Sequence, residues 1–267
     1  MNKLPLILVT NDDGIDAPGI RTLISIAREI GQVVVMAPDK PQSGASHGIT
    51  FAEPLRIKKI AQEDNYQEYS CNGTPVDCVK LAENVVIKGR PDILISGINH
   101  GSNASINVIY SGTMAAVIEA NIDKIPAIGF SLDTYEPQAD FEAARDYIKE
   151  IILNILENGL AKDICLNVNI PYTELHGIKV CRQAKASWRE GFDSRTDPRG
   201  GNYHWLTGEF VNDDKGEESD LEALSNGYIS IVPVQVDLTA YSAYFVLFPS
   251  FVFRLLIIEL SHLSFYS

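Results

Sequence analysis

Two adjacent carboxylates, Asp12 and Asp13, follow the short apolar run Leu6 to Thr10 and open onto Gly14. At a strand end such a pair repels itself unless a cation neutralises it or one member keeps its proton. Oxygen donors stand in two further polar loops, Pro41-Gln42-Ser43-Gly44 and Gly97-Ile98-Asn99-His100-Gly101, each after an apolar run. Donors of the Asp, Ser and Asn type suit magnesium, manganese or calcium, whereas zinc prefers His and Cys. The alternative for Asp12 and Asp13 is a turn in which one of them caps the next helix. Ser43 and Asn99, taken singly, are ordinary loop hydrogen-bonders. His47 and His100 lie next to glycines in polar loops; they are candidates for acid or base work, with an exposed loop histidine the preferred reading of each.

Ser111-Gly112-Thr113 stands before a helical stretch from Met114 to Ala120. A helix start of this kind presents unpaired N–H groups and a positive dipole end, which suits phosphate, although the same residues make an ordinary N-cap. Asn103 and Asn107 in the same loop offer amide donors to a phosphate or a sugar. Neither G-x-G-x-x-G nor a Walker P-loop occurs.

The elements that must position these groups alternate. Leu6 to Thr10, Gln32 to Ala37, Asp92 to Ser96, Pro126 to Phe130 and Ile164 to Ile170 read as strands. Ile20 to Ile30, Pro75 to Val86, Thr113 to Ala120 and Phe141 to Leu156 have helical periodicity. That pattern predicts an α/β fold, a doubly wound and mostly parallel sheet covered on both faces. Ligands then bind beyond the carboxyl ends of the strands, where all three polar segments fall. Residues 1–177 are expected to form the core, and 178–233, with its short extended pieces, a set of β-hairpins used as an oligomerisation arm. Residues 234–267 should pack on the core or on a partner subunit; the tail from Tyr244 is apolar, but Pro249, Arg254 and Glu259 argue against a membrane span.

The chain has 267 residues, 22 basic against 35 acidic side chains and a net charge of -13. Long-range attraction to nucleic acid or to an anionic membrane is excluded by that balance, so an anionic substrate must be won locally. Cys71, Cys78, Cys165 and Cys181 show no C-x-x-C spacing and read as free thiols in a reducing compartment. The N-terminus runs straight into a short strand with no long apolar core behind it, which points to the cytoplasm.

The opening Ile7-Leu-Val-Thr-Asn-Asp-Asp-Gly14 with Pro18-Gly19-Ile20, the loop Ala37 to Ser46, Asn72 to Val79, Ser96-Gly-Ile-Asn-His-Gly101 and Tyr110-Ser-Gly-Thr113 together resemble the SurE family of stationary-phase survival proteins with nucleotidase activity. The likeness continues more loosely through Gly227 to Pro233 and Asp237 to Ala240. It implies a Rossmann-like phosphatase acting on nucleoside 5′-monophosphates, and in some members on 3′-monophosphates and short polyphosphate. It also implies one divalent cation per subunit, magnesium or manganese, on Asp12, Asp13, Ser43 and Asn99, and dimers or tetramers that exchange extended arms. In that reading Asp12 and Asp13 carry catalysis, and Asn103, Ser111, Gly112 and Thr113 cradle the phosphate. Two other readings stay open: an aspartate acting as covalent nucleophile, and a receiver-like signalling module, which would leave the Asn99 loop without a role.

Overall fold

The structure, a computed structural model, describes residues 4–244. The expected packing of the apolar tail lies outside these residues. Of these, the residues up to Val234 form one compact unit, and the described residues from Gln235 onward belong to a second.

Strand β1 (Leu6–Thr10) leads through a tight turn into helix α1 (Pro18–Arg28), which has Pro at its first position, where the missing N–H costs nothing. Ile20, Leu23, Ile24, Ile26 and Ala27 are its buried side chains, the spacing of an amphipathic helix. β2 (Gln32–Pro38) returns parallel to β1, with Leu6 opposite Gln32. β3 (Ile57–Glu63) and β4 (Tyr66–Cys71) form an antiparallel hairpin, and β4 runs parallel to β2. This edge hairpin escapes a periodicity reading because β3 is mostly exposed and charged.

Helix α2 (Pro75–Leu81) opens with a reciprocal capping box between Thr74 and Asp77 and continues into a π-helical turn, Ala82–Ile87, stopped by Lys88 in the left-handed region. β5 (Ile93–His100), a 3-10 turn (Ser105–Ile109), helix α3 (Gly112–Ile122) and β6 (Ala127–Asp133) follow. Helix α4 (Arg145–Asn158) starts four residues later than the periodicity suggests. Asp140 accepts from the Glu142 N–H and Glu142 O from the Arg145 N–H, so the buried Phe141 and Ala144 sit in a turn. β7 (Ile164–Pro171), β8 (Gly177–Val180), β9 (Ala186–Thr196), β10 (Asn202–Asn212), helix α5 (Asp220–Ser225) and β11 (Tyr228–Gln235) complete the described chain.

Nine strands make one sheet in the order β3-β4-β2-β1-β5-β6-β7-β11-β8. The pairs β4–β2, β2–β1, β1–β5, β5–β6, β6–β7 and β11–β8 are parallel. Alternation along β1 splits the core into two layers: Ile7 and Val9 pack with α1 and α4 residues such as Leu23 and Ile152, and Leu8 with Met114, Val117 and Val79 from α3 and α2. Both sheet faces are therefore covered, as parallel strands require. Each such fully buried aliphatic side chain contributes about 1.5–3 kcal/mol.

The segment 178–233 is more divided than the sequence suggests. β8 and β11 belong to the nine-stranded sheet, because their apolar residues Ile178, Ile229 and Ile231 pack against its core. β9 and β10 pair only with each other, in register from Ala186 opposite Asn212 to Thr196 opposite Asn202, and form the extended hairpin. Among the described residues no helix is long and apolar enough to cross a membrane.

Candidate active site

Chain direction diverges between β1 and β5: the connection after β1 leads toward β2, that after β5 toward β6. A crevice opens at such a point, beyond the carboxyl ends of the strands. Asp12 and Asp13 leave β1 into it. Asn99 and His100 arrive from β5, whose pairing with β6 is irregular between Ser96 and Asn99, a device that re-aims side chains at a sheet edge.

Asp12 is 4% exposed, and its Oδ1 accepts a short bond from the Thr113 hydroxyl. The Thr113 N–H also faces this carboxylate, so Asp12 docks on the first turn of α3. Gly112 permits the approach: a Cβ there would stand 2.7 Å from Asp12 Cβ and 2.9 Å from its Oδ2. Burial pushes Asp12 from the ordinary 3.8 up to about 6; the charge of Asp13 adds to this and the Thr113 hydrogen bond opposes it. Asp13 is also raised by burial, against the His100 N–H that donates to its Oδ2 at 3.0 Å. No lysine or arginine pairs with either carboxylate among the described residues.

Orphaned oxygens surround this pair. Thr10 Oγ1, Asn11 Oδ1 and Ser96 Oγ are buried without a hydrogen-bond partner among the described residues, and Thr10 lies opposite Ser96 in the β1–β5 register. Asn11 spends its amide N–H on Gly14 O at 2.8 Å, and Asn99 spends its own on Gly101 O at 2.8 Å. Uncompensated carboxylates with free amide oxygens nearby fit a hard divalent cation. Among the described residues no group of three or more His, Cys, Asp or Glu could hold a metal ion, so such an ion would depend on amide and hydroxyl oxygens.

The other expected residues are less uniform. Ser43 is exposed on the loop after β2, which is tied to the crevice one residue earlier by Gln42 N–H donating to Asp12 O at 2.7 Å. That loop is pinned further along, where Thr50 Oγ1 donates to Asp77 Oδ2 at 2.6 Å, Thr74 Oγ1 donates to Gly48 O at 2.8 Å, and His47 Nε2 sits 2.9 Å from Glu119 Oε2. His47 is thus exposed but engaged with Glu119, away from the aspartates, which also pairs with Lys80. The His100 ring is half-buried, edge-on to Phe141 at 5.7 Å, and its buried Nε2 has no hydrogen-bond partner among the described residues.

Ser111 is the N-cap of α3 and accepts from the Met114 N–H at 3.0 Å. Asn103 is buried in a network that the residue pattern did not reveal. Its N–H donates to Asn169 Oδ1, its amide to Ser131 Oγ and its carbonyl accepts from Asn167. Asn167 and Asn169 sit two apart within the otherwise apolar interior strand β7, and that misplaced polarity was the available signal. Asp220, 1% exposed, was also missed: it accepts from the N–H groups of Ser105 at 2.7 Å, Ala184 at 2.9 Å and Leu221 at 2.9 Å. All four cysteines are free and buried, as expected from their spacing.

The sequence profile described as "Survival protein SurE" matches residues 7–190. The chain is similar to the 5′-nucleotidase SurE of Flavobacterium psychrophilum, 61% identical over 90% of this chain and 95% of that protein. A second relative of the same name, from Christiangramia forsetii, is 58% identical over 90% of this chain and 94% of that one. In three dimensions it resembles the crystal structure of the SurE protein from Aquifex aeolicus, with a TM-score of 0.77 and 38% identity over 89% of this chain and 96% of that chain. Motifs, topology and relatives agree: the chain belongs to the SurE family.

Proposed function

We propose that this protein is a divalent-metal-dependent 5′-nucleotidase of the cytoplasm, releasing phosphate from nucleoside 5′-monophosphates, with 3′-monophosphates and short polyphosphate as further substrates. The observation that carries this reading is the carboxylate pair Asp12 and Asp13, unpaired with any lysine or arginine among the described residues and close in the chain and sheet register to orphaned oxygens. The names of its relatives support the substrate class.

Asp12, Asp13, the Asn99 amide oxygen and the Ser43 hydroxyl would hold one magnesium or manganese ion per subunit. When bound, the ion supplies Lewis acidity toward the phosphoryl oxygens and lowers the pKa of water. The chain's own groups do the positioning. Thr113 fixes Asp12 by hydroxyl and backbone N–H, the His100 N–H fixes Asp13, and one of the two carboxylates orients the attacking water. Ser111 and Gly112 at the start of α3 face the phosphate with backbone N–H groups and the positive helix end. Asn103 serves by holding its loop on Ser131, since its amide is already engaged. A net charge of -13 disfavours an anionic substrate until the carboxylates are neutralised. Subunits assemble as a dimer or tetramer through the β9–β10 hairpin, whose exposed Phe192 and Trp205 support this.

Phosphate release from AMP and GMP, with chelator and after adding back magnesium or manganese, tests the reading. Activity should vanish and return. Asp12→Ala and Asp13→Ala should lose nearly all turnover, while Asn99→Ala and Ser43→Ala raise the metal concentration required. Full turnover by metal-free protein would overturn it, and a trapped phosphoenzyme would favour a covalent aspartate instead.

A further inference from the structure

The hairpin register has an uneven face. Along β9 and β10, side chains alternate between two faces, which places Trp188, Glu190 and Phe192 with their partners Phe210, Gly208 and Leu206 on the same side. Gly208 opposite Glu190 interrupts this apolar row, leaving a gap between the Trp188–Phe210 pair, whose ring centroids are 5.3 Å apart, and Leu206. The gap is part of a groove of about 570 Å³ lined by Tyr110, Trp188, Glu190, Leu206, Thr207 and Gly208. Its volume lies within the range of small-molecule sites, and its mixture of aromatic walls with a few polar groups is the composition such sites share.

The position of the groove matters as much as its lining. Tyr110 immediately precedes Ser111 and Gly112 at the start of α3. Trp188 Nε1 donates to Asn107 Oδ1 at 2.9 Å, joining the hairpin wall to the same loop. Tyr110 and Trp188 remain 48% and 43% exposed, so their rings are available to a ligand. A nucleoside monophosphate carries a flat heteroaromatic ring one sugar away from its phosphate, and stacking on aromatic side chains is indifferent to which base is presented.

We propose that this groove is the nucleobase subsite of the active site, with Tyr110 and Trp188 as its stacking surfaces; the proposal rests on the phosphatase reading above. Adenosine and inorganic phosphate, the two products of AMP hydrolysis, then address different parts of one site.

The test measures both as competitive inhibitors of AMP hydrolysis by the full-length, metal-loaded protein. In Trp188→Leu the inhibition constant of adenosine should rise about tenfold, while that of phosphate changes less than about twofold. Tyr110→Leu, on another wall, should give the same pattern and keeps the test open if the first variant folds poorly. Adenosine and phosphate constants that move together, or an adenosine constant that does not move, overturn the proposal. So does a variant whose sedimentation coefficient falls while its adenosine constant stays fixed, which would assign the groove to a second copy of the chain. Equilibrium dialysis of adenosine against metal-free protein needs no turnover. Binding there, together with no phosphate release from AMP by the metal-loaded protein, would sink the phosphatase reading and not the groove, whereas phosphate release by the metal-loaded protein without adenosine binding would sink the groove alone.

Discussion

Asp12→Asn should inactivate the protein and, in chelator at neutral pH, make it more stable. Burial holds the Asp12 carboxyl at about 6 in the folded chain, against 3.8 for an unperturbed one. Between these values the folded state keeps a proton that the unfolded state has released, so stability falls as pH rises through that window and then levels off. The full loss is about 3 kcal/mol. Asparagine carries no charge and escapes it; the charge-assisted bond from Thr113 is already contained in the shifted value and is not subtracted again. The gain of about 3 kcal/mol corresponds to a Tm higher by about 6–12 °C for a chain of this size. Thermal unfolding followed by circular dichroism in chelator, at pH 7.5 and pH 4, checks it: the advantage should be present at the first and gone at the second. Adding metal at about 100 times its Kd should raise the wild type by about 2.7 kcal/mol and leave the variant where it was. An asparagine variant no more stable than wild type at pH 7.5, or equally advantaged at both pH values, would refute the reasoning.

Two further outcomes follow from the geometry. Gly112→Ala places a Cβ 2.7 Å from that of Asp12 and should cost more than tenfold in turnover with a stability loss of about 1–3 kcal/mol, checked by parallel kinetics and thermal melts. Because Ala186 and Asn212 are register partners, the hairpin between them can be replaced by a short turn. Sedimentation velocity should then show a smaller species than the full chain, and a full chain that is already a monodisperse monomer would refute assembly through the hairpin.

The parallel core was legible because its strands are short β-branched runs between amphipathic helices, and β1, β2 and β7 fall within one or two residues of their expected limits. The β3–β4 edge was not, since an exposed strand such as Ile57–Glu63 carries little of the burial that writes a pattern into sequence. Asp12, Asp13 and Asn99 stand out as candidates because polar residues cluster where β1 and β5 end, and Thr113 because it opens α3. Asp220 does not: its importance comes from N–H groups of Ser105 and Ala184, which no local pattern connects to it. His47 is exposed, as read, but its partner Glu119 lies 72 residues away and escaped for the same reason.

That single carboxylate of Asp220 has a consequence for motion. It gathers backbone donors from the loop before α3, from the root of the β9–β10 hairpin and from its own helix, and Ser105 Oγ closes the junction on Ala184 O at 2.9 Å. Releasing one of these stretches leaves the buried carboxylate short of a donor, which costs about 1–3 kcal/mol. The root of the hairpin and the segment leading to Ser111 are therefore coupled, and an event that grips or loosens the hairpin is felt at the start of α3.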